Sequence, residues 1–169
     1  MRLAVGDKIV HPHHGPGTIT SIEQKEFLEG SELYCVIEIP AQGLILHIPK
    51  HRMEEIGVRR AMSRTQIRRM LATLRKTPHL LPDDYKERQE QVWEQLLTGD
   101  PIQIAETVRD LTWHDRRAQL TKKDTDYLDR GRKLLAAEMA LVSETEIAEA
   151  NRTLEATLTA AMERASSQI

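Results

Sequence analysis

The chain changes its hydrophobic period once, near residue 58, and this change limits what it can fold into. Before that point, short runs rich in β-branched residues lie at 8–10, 17–25, 33–39 and 44–48. From about residue 60 onward, apolar residues recur three and four positions apart. The pattern predicts an α+β protein with two domains, residues 1–58 and 59–169.

The first region predicts a small β-barrel. Its strand-like runs are separated by glycine and proline turns at 12–17, 29–31 and 41–43, a spacing typical of a short sheet that curls on itself. Cys35, the only cysteine, stands inside an apolar run, so we expect a small buried core residue. A single cysteine also excludes an intrachain disulfide.

The second region predicts five helices. Serine, threonine and aspartate favour helix starts because their side-chain oxygens accept hydrogen bonds from free amides of the first turn. Trp93 and Trp113 fall within strongly helical segments and are predicted to lie in the core. The five predicted starts are marked by Ser63 with Gln66, Asp83 or Asp84, Asp100 before Pro101, Thr121 with Asp124, and Ser143 with Glu146.

The stretch "HPHHGPGTI" at 11–19 admits three interpretations: a metal site, a catalytic loop or a turn. Structural zinc sites commonly use four ligands with cysteines among them, and this chain has one cysteine. No nucleophile motif or phosphate-binding glycine loop accompanies the histidines. Pro12, Gly15 and Gly17 suit a sharp connection between the first two strands. The sequence therefore favours a turn and predicts no enzyme, metal or cofactor.

Charge is distributed unevenly along the chain. The formal net charge is −2, yet residues 56–82 contain no acidic residue. Such a segment is either an electrostatic footprint for nucleic acid or a solvated helix face whose balancing acids lie on a neighbour, and charge alone leaves both open. The cations of this segment are Arg59, Arg60, Arg64, Arg68, Arg69, Arg75 and Lys76.

No apolar run approaches the roughly 20 residues that a membrane span needs, and the first residues lack a signal-peptide pattern. We therefore expect a cytoplasmic protein without a membrane partner.

Several motifs together carry a family resemblance. "VGDKIVHPHHGPGTITSIE" and "GLILHIPKHRMEEIGVR" resemble the amino-terminal domain of the CarD/CdnL family of bacterial transcription regulators, although His11 stands where the family often has tyrosine. "LTGDPIQIAETVRDL" and "RKLLAAEMALV" are similar to the family's helical half, so the resemblance covers nearly the whole chain. The opening motif is matched at Gly6, Asp7, Pro12, His14, Gly15 and Gly17.

The resemblance implies a fold and a function. The amino-terminal domain is expected to be a Tudor-like barrel that binds the β subunit of RNA polymerase through pairing at a sheet edge. The helical domain is expected to sit on promoter DNA at the upstream edge of the melted region, where an aromatic side chain wedges into the minor groove and stabilises the open complex. We expect a monomer that associates with the nucleoid through RNA polymerase.

The resemblance also assigns surfaces residue by residue. The polymerase surface is expected to include Lys25, Phe27 and His47, with a solvated role for the two polar residues and a core role for Phe27 as alternatives. Relatives often carry arginine at the positions of Lys25 and His47. The guanidinium group of arginine, which forms two parallel hydrogen bonds, is therefore absent here.

The DNA wedge falls in "LPDDYKERQE". Relatives commonly show Pro-x-x-Trp, and here Tyr85 takes the aromatic position, followed by Lys86 and Arg88 as expected DNA contacts. The alternative is a Tyr85 that packs against Trp93 or Leu80.

These inferences lead to a non-enzymatic transcription regulator that binds polymerase and shifts promoter opening through differential affinity for the open state. The alternative is a polymerase- or protein-binding adaptor without a functional DNA contact.

Overall fold

The computed structural model describes residues 1–168 and divides into two compact units, with the boundary between Ala61 and Met62. The sheet unit extends beyond residue 58 because Arg59 and Arg60 pair with the first strand. The prediction of an α+β fold, with a small β unit followed by a five-helix unit, is confirmed. None of the described helices is both long and apolar enough to cross a bilayer.

The first unit is a five-stranded antiparallel sheet with the strand order β4-β3-β2-β1-β5. A short helix, α1 (Met53–Ile56), lies between the last two strands along the chain. The strands are β1 (Lys8–His11), β2 (Gly15–Phe27), β3 (Gly30–Ile39), β4 (Leu44–Pro49) and β5 (Arg59–Arg60).

One face of the sheet forms the core of this unit. Ile9, Ile19, Ile37 and Ile39 are fully buried there. Cys35 is also fully buried, as predicted. Gly17 permits β2 to approach β3 closely, because a Cβ at this position would lie 2.7 Å from the carbonyl oxygen of Glu38. Close packing of β2 on β3 thus requires a glycine at position 17.

The second unit contains the five predicted helices. Four predicted caps are confirmed, since the side chains of Ser63, Asp84, Asp100 and Thr121 accept first-turn amides. The apolar faces of all five helices build one main core. The helices are α2 (Arg64–Arg75), α3 (Tyr85–Leu97), α4 (Pro101–Arg117), α5 (Lys122–Ser143) and α6 (Ile147–Ser167).

The capping box predicted at Ser143 is wrong. Ser143 is the last residue of α5, and Glu144 follows it in the left-handed region with φ 55°. Glu146 becomes the N-cap of α6 without a side-chain hydrogen bond. The preceding helix thus continues through the expected cap, and it ends where the left-handed Glu144 donates its backbone amide hydrogen to the carbonyl of Ala140.

Candidate functional site

A cluster of cationic and aromatic side chains lies on the outward face of β2, β3 and β4. The Nζ atom of Lys25 donates to Nδ1 of His47 at 3.1 Å and lies 4.6 Å from the centroid of the Tyr34 ring. The Phe27 ring centroid lies 6.1 Å from that of Tyr34. We call these four residues, Lys25, Phe27, Tyr34 and His47, the hairpin surface.

The strand register explains why these side chains meet. Antiparallel pairing sets Glu23 opposite Tyr34 and Val36 opposite His47, and residues directly opposite each other project from the same face. Lys25 and Phe27 follow Glu23 at alternate positions and share that face. The sequence-based alternative of a core Phe27 is wrong, because 53% of this side chain is exposed.

The strand β4 forms one edge of the sheet and pairs with β3 on its inner side. His47 and Ile45 project from its outward face, and Ile45 is 65% exposed. An edge strand presents unpaired amides and carbonyls to which an incoming strand can add. The hairpin surface therefore adjoins an open edge of the sheet.

The histidine-rich stretch is a turn, as predicted. The strand β1 ends at His11 and β2 begins at Gly15, opposite it in the register. His11 is buried, and its Nδ1 accepts the amide hydrogens of His13 and His14 at 3.1 and 3.2 Å. Burial lowers the pKa of His11, and the neighbouring imidazoles lower it further. Across residues 1–168, no three potential ligands are grouped to hold a metal ion.

Tyr85 begins α3 directly after a bend at residues 83–84. Its side chain is 51% exposed, and Nζ of Lys86 lies 6.0 Å from its ring centroid. Asp84 caps the helix by accepting the amide hydrogen of Glu87 at 3.1 Å. The bend and the cap together present the tyrosine ring at the start of the helix.

Arg88 is buried and does not lie on the protein surface beside Tyr85, so its assignment as a DNA contact is wrong. The residue is 3% exposed. Its Nε and Nη2 atoms donate to the two carboxylate oxygens of Asp124 at 3.2 and 2.7 Å. Its Nη1 atom donates to the carbonyls of Pro82 and Asp83 at 3.1 and 3.0 Å. Arg88 therefore fixes the backbone immediately before Tyr85.

The carboxylate that holds Arg88 is itself strongly bound. Asp124 is fully buried and forms a capping box with Thr121 at the start of α5. Burial alone would raise its pKa, but hydrogen bonds from Arg88 and Thr121 outweigh this effect and keep the pKa below its usual value. The ion pair between Arg88 and Asp124 thus remains charged at neutral pH. Nearby, burial lowers the pKa of the His114 imidazole, and the charge of Arg88 lowers it further.

A second buried pair anchors the other end of the segment that leads to Tyr85. Nη1 of Arg109 donates to the carbonyl of Thr73 in α2 at 3.2 Å, and its Nε donates to Asp110 at 2.8 Å. The same carboxylate oxygen of Asp110 accepts the amide hydrogen of His79 at 2.9 Å. The segment 76–84 is therefore held at both ends by buried charged groups.

The ring of Trp93 packs against a different aromatic residue. It stacks on Tyr127 with 5.6 Å between ring centroids, and the Arg130 guanidinium lies 5.5 Å from the Trp93 centroid. Leu80 is itself 67% exposed. The sequence-based alternative has Tyr85 packing against Trp93 or Leu80, and neither of these residues buries it.

Sequence reasoning missed three residues that build these surfaces. Tyr34 was available as an aromatic residue facing Lys25 across a predicted hairpin, but only the register reveals the contact. Asp124 was recognised as a cap and not as the partner of Arg88, which lies 36 positions earlier. Asp110 lies inside the quoted "VRDL" motif, whose Arg-Asp pair anchors the segment before Tyr85.

Two family models match the chain. The model described as "CarD-like/TRCF RID domain" matches residues 3–62, and the model described as "CarD, C-terminal domain" matches residues 69–155. A curated relative, "Putative transcription factor YdeB" of Bacillus subtilis (strain 168), is 29% identical over 140 residues, which cover 82% of this chain and 90% of that protein.

A solved structure is also similar to part of the chain. It is the solution NMR structure of the 72-residue N-terminal domain of Myxococcus xanthus CarD, with 29% identity and a TM-score of 0.31, covering 35% of this chain and 79% of that chain.

The class of protein follows from both units together. A β unit with an open edge strand precedes a helical unit with an exposed aromatic residue, and each unit matches a domain model of the CarD family. The carboxy-terminal model alone covers more than half of the residues. The chain belongs to the CarD family of transcription factors, as the motifs predicted.

Proposed function

We propose that this protein binds the β subunit of RNA polymerase through the hairpin surface and the adjacent edge of β4, and stabilises the promoter open complex through Tyr85. The observation that carries the proposal is the Tyr85 ring, half exposed on a turn whose backbone Arg88 fixes. Because the backbone before Tyr85 is already ordered, little backbone freedom is lost when the ring inserts between bases.

The energetics of such a wedge are favourable for tyrosine. Unstacking a base step costs a few kcal/mol, and an inserted apolar side chain offsets part of that cost. Aromatic stacking on bases contributes about 1–3 kcal/mol per base in single-strand binders. The hydroxyl group of Tyr85 can stay hydrated at the groove edge while the ring inserts. Lys86, also exposed, supplies a positive charge beside the ring for a phosphate.

The polymerase contact is supported by the chemistry of the hairpin surface. Lys25 provides a cation, and the half-exposed Phe27 ring provides an apolar anchor beside an unpaired strand edge. Exposed aromatic side chains contribute disproportionately to protein interfaces. The open edge supplies main-chain hydrogen bonds, while these side chains supply selectivity.

The test is the lifetime of promoter open complexes after a competitor challenge, with full-length wild-type protein and Tyr85→Ala. We expect Tyr85→Ala to shorten the lifetime about tenfold, which corresponds to about 1.4 kcal/mol, without weakening polymerase binding. Tyr85→Phe is the matched control, because it keeps the ring and should retain most of the lifetime.

One result would favour the adaptor function instead. If Tyr85→Ala gives wild-type lifetimes while the hairpin surface still binds polymerase, the protein acts without a DNA wedge.

A further inference from the structure

The helix α2 carries a line of arginines on its solvent side. Arg64, Arg68 and Arg75 are all exposed, and we call them the arginine stripe. Spacings of four and seven residues place them within about 40° of each other around the helix and about 16 Å apart from end to end. The opposite side of α2 buries Ile67, Met70, Thr73 and Leu74.

Within residues 1–168, the stripe has no acidic partner. The ion pairs of the described chain involve other cations, and the side chain of Arg68 donates only to the Thr65 hydroxyl, at 3.3 Å. The sequence left open whether these charges are balanced by acids on a neighbouring helix. Among the described residues, no acid forms an ion pair with the stripe, so its guanidinium groups remain available for an external anion.

Of the three arginines, only Arg75, in the last turn of α2, suits the helix dipole. The first turn of α2 contains no acidic residue, and Arg64 occupies its first position. A cation there opposes the positive end of the helix dipole. Arg64 and Arg68 also form a like-charge pair four residues apart, which destabilises a helix. Folding alone therefore gives no reason for arginine at these two positions.

A further guanidinium extends the stripe at its carboxy-terminal end. Arg164 of α6 is exposed, and its Nη2 atom donates to the carbonyl of Arg75 at 3.3 Å. Lys76 adds another exposed cation at the end of α2. The cations thus run along the whole helix and continue onto a second one.

We propose that the arginine stripe binds the phosphate backbone of duplex DNA, as a nucleic-acid surface distinct from the Tyr85 turn. Guanidinium groups bind phosphate through paired hydrogen bonds, and about 16 Å corresponds to roughly five base-pair steps along the duplex axis. A protein partner fits less well, because protein interfaces concentrate aromatic and apolar side chains at their centre and are depleted in charge there. The apolar residues of α2 beside the stripe are the exposed Ala72 and the half-buried Leu71, which packs against the core.

The experiment measures binding of the full-length protein to a fluorescent duplex of arbitrary sequence by anisotropy, between 50 and 200 mM salt. The test variant is R64E/R68E/R75E. The matched control is R116E/K133E/R152E, which alters exposed cations of α4, α5 and α6 by the same total charge. We expect the test variant to bind at least tenfold more weakly at 50 mM salt. The slope of log K against log salt should fall by up to about 2.7, since each phosphate contact contributes about 0.9.

The control variant should bind within threefold of wild type with an unchanged slope. If both triple variants lost DNA affinity equally, binding would depend only on the net charge of the protein, and the proposal would be wrong. It would also be wrong if the stripe variant bound DNA normally, or if it lost polymerase binding alone, which would indicate an acidic protein surface. R64K/R68K/R75K should retain the slope, and circular dichroism melts verify folding of every variant. Tyr85→Ala should leave the slope unchanged, so this proposal and the wedge fail separately.

Discussion

The hairpin surface and the Tyr85 turn present aromatic side chains in two different ways. Lys25, Phe27, Tyr34 and His47 contact one another at the surface of a sheet whose backbone hydrogen bonds do not depend on them. Tyr85 has no such cluster around it. Its position depends on a buried guanidinium that also joins the start of α3 to the start of α5.

The difference predicts how each surface responds to mutation. Changes within the hairpin surface should affect binding and leave folding intact, because the strands persist without those side chains. Changes beneath the Tyr85 turn should affect stability and function together. The chain offers separate probes for its units, since both tryptophans lie in the helical unit and the single cysteine is buried in the β unit.

The largest effect is expected from Asp124→Asn. The substitution leaves the Arg88 charge buried without its partner, and breaking a buried pair in this way costs about 3–5 kcal/mol. Urea unfolding followed by tryptophan fluorescence measures the loss in the helical unit. Because the folded state lowers the pKa of Asp124, the wild-type advantage is fully present above the unfolded-state pKa near 4 and is lost as pH falls from there through the lower folded-state pKa.

Asp126→Asn is the control for this measurement. Its carboxylate lies 3.6 Å from Nζ of Lys122, and both side chains are largely exposed. Exposed pairs of this spacing contribute about 0.3–0.5 kcal/mol. If both variants changed stability equally, the buried pair would not be what anchors α3 to α5.

The pattern of errors in the sequence-based predictions follows the range of the interactions involved. Strands, helices and four caps were predictable because hydrophobic period and capping act within a few residues, as Ser63 and Gln66 show. Arg88 was misassigned because its charge looks exposed in a polar helix start, while its partner lies 36 positions away. The Tyr34 contact likewise required the register between two strands.

A second effect should appear in polymerase binding alone. Lys25→Glu with His47→Glu reverses the charge of the hairpin surface, and like charges across an interface cost several kcal/mol. We expect at least a tenfold loss of affinity for the isolated β-subunit lobe, with an unchanged melting temperature. Arg52→Glu, an exposed cation of the same unit, is the control. Normal binding by the double variant would exclude this surface as the polymerase contact.

A third and smaller effect tests whether Arg88 acts through Tyr85. Arg88→Lys keeps the charge but cannot hold Asp124 in a fork and two carbonyls at once. We expect open-complex lifetime to fall about threefold, or about 0.65 kcal/mol. In a Tyr85→Ala background, the same substitution should have no further effect on lifetime.

This double-mutant cycle separates positioning from general destabilisation. A structural role alone would lower the melting temperature in both backgrounds and shorten lifetime in both. Additive lifetime losses would therefore show that Arg88 does not act by orienting the tyrosine ring.

A last effect, confined to the β unit, should arise from protonation of His11. Its Nδ1 must remain unprotonated to accept the amides of His13 and His14, and burial lowers its pKa. The unfolded state then binds the proton more readily, so stability falls as pH drops through about 6.5 towards the folded pKa. One such site changes stability by at most about 1.4 kcal/mol per pH unit.

Thiol labelling of Cys35 detects opening of the β unit, because this side chain is inaccessible in the folded state. His11→Tyr introduces the residue that relatives often carry and removes the titrating group. Dividing the wild-type labelling rate by that of His11→Tyr at each pH cancels the pH dependence of the thiol chemistry.

This ratio of labelling rates should rise as the pH is lowered from 7.5 to 5.5, since only the wild type loses stability through His11. His114, whose pKa is also lowered, lies in the helical unit and is common to both proteins. A ratio that stays constant would mean that the turn tolerates a protonated His11.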